Sequence, residues 1–256
     1  MTPIGVLHVP HSSTEIPADL RSSFRLTDDE IRGELLRMTD WYTDELFSLP
    51  ADEAATIRFP VSRLVVDPER FLDDAREPMA ARGMGVIYTR TADGRPLRDP
   101  PDERLRRELI ARFYEPHHRA LRDAVQSALD AHGRCLIVDC HSFPPVALPC
   151  DMDQAPCRPD ICIGTDPFHT TDWLRASAEE RFQAAGYSVT VNRPYAGALV
   201  PTAWLASDRR VASVMIEINR RLVIDGVTGD KLPVFDAVTR TLRQVLRELF
   251  ARFGRS

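Results

Sequence analysis

The chain has 256 residues, 43% hydrophobic and 28% charged, with a formal net charge of −5. That is enough chain to bury a large core as one α/β domain spanning 1–256. The acidic balance gives no electrostatic support to a nucleic-acid partner, and no apolar run approaches the roughly 20 residues of a membrane span.

In chain order, "IGVLHV" (4–9) reads as the first strand and runs into "VPHSSTEIP", which places His11 just past its end. "TDDEIRGELLRM" reads as a helix, with Thr27 and Glu30 in capping-box spacing. "RMTDWYTDELF" follows; Asp40 and Asp44 are four residues apart and would share a helix face. Asp40 near a helix start also suits a cap, and Asp44 a solvated position. "ATIRF" (55–59), "RLVVD" (63–67) and "GVIYT" (85–89) are expected to be strands. Helices are expected over "DERLRRELIARFY" and over "HHRALRDAVQSALDAHG", the latter closing on Gly133.

"CLIVDC" (135–140) reads as a buried strand that exits into His141. The Pro- and Cys-rich stretch 143–160 is expected to be a loop over one edge of the sheet. "ICIGT" (161–165), "SVTVN" (188–192) and "SVMIEI" (213–218) complete the strands, and "TTDWLRASAEERFQAAG" and "VFDAVTRTLRQVLRELFARF" the helices. The last helix carries Val238, Leu242, Val245, Leu249 and Phe253 on one stripe. Strands interleaved with such helices predict a three-layer αβα sandwich around a mixed, mostly parallel sheet.

In open α/β sheets the ligand site lies beyond the carboxyl ends of the strands. Three exits carry chemistry there: His11, His141 and Glu217, the last an ionisable side chain inside an apolar run. Two histidines and an acid are a zinc-ligand inventory, with Glu217 then free to act as general base. Taken singly, His11 also suits a plain loop residue, His141 a satisfied core histidine, and Glu217 an ion pair with an arginine.

Arg63 and Arg70 flank "LVVD", and Asn192 and Arg193 stand at a strand exit before Gly197, which permits close backbone approach. Arginines pair bidentately with carboxylates, so they suit a small acidic substrate. His169 follows a strand and is a candidate substrate contact, whereas His117 and His118 read as packing or capping residues. No nucleophile elbow, dinucleotide fingerprint or P-loop occurs. The five cysteines form no CxxC pair, and the N-terminus lacks a signal-peptide pattern, so reduced thiols and a cytoplasmic location are expected.

The ordered set "VPHSS", "TDW", "SRLVVDPERF", "LIVDCHSF", "CIGTD", "NRPYAG" and "MIEINR" resembles the N-formylglutamate amidohydrolase family over about residues 6–224. The resemblance implies a fold related to zinc-dependent exopeptidases. It also implies zinc or another divalent metal held by His11 and His141, with Asp40 as third ligand in preference to Glu15. Glu217 becomes the catalytic acid/base, and Arg63, Arg70 and Asn192 the groups that hold the substrate, N-formyl-L-glutamate or a similar N-acyl amino acid, one arginine also steadying the oxyanion. The family's better-known form has Asp-Leu-Asn-Arg where this chain has Asp67, Pro68, Glu69 and Arg70, so Glu69 adds a negative charge beside Arg70. An amidase or carboxypeptidase-like enzyme for another acyl substrate, and a non-catalytic metal-dependent binding protein, are the competing functions.

Overall fold

A computed structural model describes residues 1–255. Six strands form one sheet: β1 (Gly5–Val9), β2 (Ala54–Arg58), β3 (Cys135–Phe143), β4 (Ile161–Gly164), β5 (Val189–Val191) and β6 (Val211–Asn219). Their spatial order is β2-β1-β3-β6-β4-β5. The first four of that order are mutually parallel, and β4 and β5 run together antiparallel to β6. The sheet is therefore mixed and mostly parallel, as the alternation of strands and helices predicts.

The helices are α1 (Asp28–Met38), α2 (Thr43–Leu46), α3 (Glu103–Leu109), α4 (Glu115–His132), α5 (Asp172–Ala184) and α6 (Phe235–Arg255). Thr27 and Glu30 form the predicted capping box of α1, and Gly133 closes α4 in the left-handed region at φ 71°. A wide turn over Ile110–Tyr114 joins α3 to α4 without a break, just ahead of Pro116, which lacks the N–H a regular turn would use.

Strand alternation distributes side chains between two faces. Leu7, Leu136, Val138, Val214 and Ile216 pack on one side with α5 and α6. Val6, Ile137 and Val211 pack on the other with Leu121, Val125 and Leu129 of α4. His8, Asp139, His141 and Glu217 have the parity of this second set. Register brings them together, because His8 pairs with Asp139 and His141 with Glu217 across neighbouring strands. A separate cluster from α1, α3 and the chain between residues 59 and 97 caps that end of the sheet.

Two expected strands are absent. Leu64, Val65, Val66, Val86, Ile87 and Tyr88 are all buried, but in the capping cluster rather than in the sheet. One backbone hydrogen bond, Asp67 N–H to Val86 O at 2.9 Å, links the two segments. Apolar β-branched runs signal burial, and here an irregular lobe satisfies it. Asp40 and Asp44 also do not share a helix: Asp40 sits in the turn before α2, and Asp44 pairs with Arg58 at 3.0 Å.

Candidate active site

The carboxyl ends of β3 and β6 open into a cleft of about 420 Å³. His11, Asp40, Arg63, Arg70, His141 and Glu217 all line it. So does the stretch 143–160, through Pro144, Leu148 and Asp151, which places that loop over the sheet centre rather than over an edge.

The two histidines are held by carboxylates. His11 Nε2 lies 2.9 Å from Asp67 Oδ1, which leaves its Nδ1 buried and without a hydrogen-bond partner. His141 Nδ1 lies 2.9 Å from Asp40 Oδ2, and its Nε2 faces Glu69 and Asp139, each at 3.2 Å. A carboxylate on one ring nitrogen sets the tautomer and aims the other nitrogen's lone pair. His11 Nδ1 and His141 Nε2 both face Glu69, whose Oε2 is 3.9 Å from His11 Nδ1 and 3.2 Å from His141 Nε2. His11, His141 and Glu69 thus form a set whose donor atoms lie close enough to share one cation.

Asp40 occupies a different place from the one expected of it. Its carboxylate accepts from the ring nitrogen of His141 that faces away from Glu69, and it stands 3.6 Å from His11 Nδ1. Burial works against its charge, yet the two imidazoles hold its pKa well below the usual range. Glu15 is exposed and lines a different surface depression with Ser12 and Arg58, so it does not compete for the site.

Arg63 donates to Asp67 Oδ2 at 2.9 Å, and the Tyr88 hydroxyl donates to the same oxygen at 2.5 Å. Arg70 Nε lies 3.6 Å from that oxygen and lacks a hydrogen-bond partner. Arg220, at the end of β6, donates to the carbonyls of Leu36, Arg37 and Thr39, fastening the end of α1 and the Asp40 turn to the sheet.

Glu217 is buried, and its Oε2 has no partner. Burial, reinforced by Asp40, Glu69 and Asp139 and opposed by His141, pushes its pKa up to about 8. That value sets a pH dependence for the metal-free protein. The folded state keeps a proton on Glu217 that the unfolded state loses above the usual glutamate range. Stability should fall as pH rises toward 8, by at most about 1.4 kcal/mol per unit. Urea unfolding of metal-free wild type and Glu217→Gln at pH 5.5 and 8 checks this. The variant should gain on the wild type at the higher pH, and an unchanged difference would refute it.

Four expected contacts lie elsewhere. His169 is a satisfied core histidine, with Nδ1 2.7 Å from Val211 O and Nε2 accepting from Ala206 N–H at 2.9 Å, at the opposite end of β6 from Glu217. Asn192 is exposed and bonds Thr165. Arg193 is exposed and pairs with Asp153 at 2.7 Å. Gly197 does make a close approach, but to the protein: a Cβ on Gly164 would meet its carbonyl at 2.3 Å. This loop instead presents Pro194, Tyr195 and Ala196 to the cleft. Sequence reasoning passed over His8, a polar residue inside the apolar first strand. Glu69 reads in the sequence only as a charge change, and the signal available for it is an acid two residues after Asp67.

Buried imidazoles and carboxylates gathered at the carboxyl ends of parallel strands make this an α/β protein with a site suited to acid–base or metal-assisted chemistry. Comparison with known proteins makes that specific. The chain belongs to the N-formylglutamate amidohydrolase family, whose model matches residues 5–224. A crystal structure of N-formylglutamate amidohydrolase from Ralstonia eutropha JMP134 superposes with a TM-score of 0.85 at 25% identity, covering 99% of this chain and 95% of that one. The gene product Atu2144 from Agrobacterium tumefaciens shares the fold, with a TM-score of 0.68 at 20% identity over 98% of this chain and 90% of that one. No curated protein matches the sequence. No helix among the described residues is long and apolar enough to cross a membrane.

Proposed function

We propose that the protein, acting as one catalytic domain, is a metal-dependent amidohydrolase that cleaves N-formyl-L-glutamate, or a similar N-acyl amino acid, to formate and the free amino acid. One observation carries this reading: His11 Nδ1, which has no hydrogen-bond partner, and His141 Nε2 both face Glu69, each ring held from behind by a carboxylate. The donor set fits a divalent ion. His11 Nδ1 is buried without a partner, and Glu69 and Asp139 overcome burial to raise the pKa of His141, so the site favours a positive charge. Nitrogen and oxygen donors of this kind suit zinc. His11, His141 and Glu69 would hold the ion, with Asp67 and Asp40 orienting the imidazoles.

When bound, the ion supplies Lewis acidity for the amide carbonyl and acidifies water. The rest falls to the chain's own side chains. Glu217 takes the proton of the attacking water and returns it to the leaving nitrogen. Arg70, whose buried Nε makes no hydrogen bond, offers a donor to the substrate carboxylate, while Arg63 stands beside the reacting centre to steady the oxyanion. All five cysteines are free, which is in keeping with a cytoplasmic location.

A second reading of the substrate has its own support. Met38, Met79, Met84, Met152 and Met215 all line the cleft, and methionine adapts to apolar groups of varied shape. With Glu69 adding negative charge, an N-acyl amino acid with an apolar side chain also fits. A panel of N-formyl and N-acetyl amino acids separates the two. N-formylglutamate should show the highest kcat/KM on the first reading and N-formylmethionine on the second. Hydrolysis of none of them, with metal bound, would sink both.

A further inference from the structure

Glu69 faces two groups of donors. Its Oε2 is 3.9 Å from His11 Nδ1, and its Oε1 is 3.7 Å from His8 Nδ1 on the far side. Asp139 Oδ1 completes this inner group, 2.8 Å from His8 Nδ1 and 3.2 Å from His141 Nε2. Donors sharing a tetrahedral ion at about 2.0–2.2 Å lie roughly 3.3–3.6 Å from one another. The observed separations bracket that spacing, and His8, Glu69 and Asp139 form a second set able to share one cation.

The outward sides of these residues are already engaged. His8 Nε2 is 2.8 Å from His117 Nε2 on α4, and Asp139 Oδ2 accepts the Leu199 N–H at 3.0 Å. His8 Nδ1 and Asp139 Oδ1 are thereby turned inward toward Glu69. Among the described residues, Glu69 and Asp139 have only imidazoles as ion-pair partners. Two carboxylates this close, one buried and one partly buried, repel each other unless positive charge lies between them.

We propose that the centre is dinuclear, with the Glu69 carboxylate bridging the ion at His11 and His141 to a second divalent cation held by His8 and Asp139. Carboxylate-bridged ions about 3.5–4 Å apart are a recurrent arrangement in hydrolases. The inference rests on the metal-dependent reading above and adds a site that reading does not need. It also gives Glu69, which stands between the two donor sets, a defined task.

Metal-free full-length protein is reconstituted with Zn²⁺, freed of excess and analysed for zinc per chain, and anomalous diffraction at the zinc edge locates the ions. Two equivalents are expected, with peaks on either side of Glu69. His8→Asn and the isosteric Asp139→Asn should each fall to about one, leaving the peak at His11 and His141. One equivalent in the wild type, a second peak away from Glu69, or two equivalents retained in folded Asp139→Asn would overturn the second site alone. No zinc at all would overturn the metal-dependent reading as well.

Discussion

Glu217→Gln is expected to lower kcat by about 10²–10⁴-fold, the usual contribution of a positioned general acid/base, while metal content stays at the wild-type level. Glu217 sits on β6, opposite His141 in the register of β3. It faces the cleft, yet it belongs to neither cation-binding set. Glutamine keeps the size and polarity of the side chain but cannot accept the proton. The loss should therefore appear in kcat more than in KM. Single-turnover kinetics beside metal analysis makes the measurement; wild-type kcat in a metal-replete variant would remove Glu217 from the mechanism.

The second large effect separates the residues that hold the ion from those that aim the holders. His11→Ala and His141→Ala should each lose the ion held by His11, His141 and Glu69 at ordinary protein concentrations, and turnover with it, because each removes one of three donors from that set. Asp40→Asn and Asp67→Asn should behave differently. Each keeps the imidazole and replaces only the carboxylate on its outer nitrogen, so metal affinity should weaken by about 10–100-fold without vanishing. Competition with a chelator of known affinity measures both. If Asp40→Asn loses metal as completely as His141→Ala while Glu69→Gln keeps it, then Asp40 is the third ligand, as the sequence resemblance implies, and Glu69 is not.

Much of the architecture was legible because local patterns encode it. Thr27 and Glu30 define the start of α1, and Gly133 the end of α4. Six of the eight expected strands pair in the sheet. The apolar runs at 63–67 and 85–89 misled because burial and strand pairing leave the same imprint on composition. Only the tertiary structure shows that both runs are buried in the capping lobe, outside the six-stranded sheet.

The sequence by itself determined the family, through motifs in a fixed order, and it marked His11, His141 and Glu217 as polar residues at strand exits. Those features depend on neighbours along the chain. Tertiary structure decided which ring nitrogen of each histidine faces Glu69, because Asp67 and Asp40 arrive from segments 56 and 101 residues away from His11 and His141. It also moved His169, Asn192 and Arg193 away from the cleft and brought His8 and Glu69 toward it. The packing of the capping lobe against the sheet sets those distances, and no spacing along the chain encodes them.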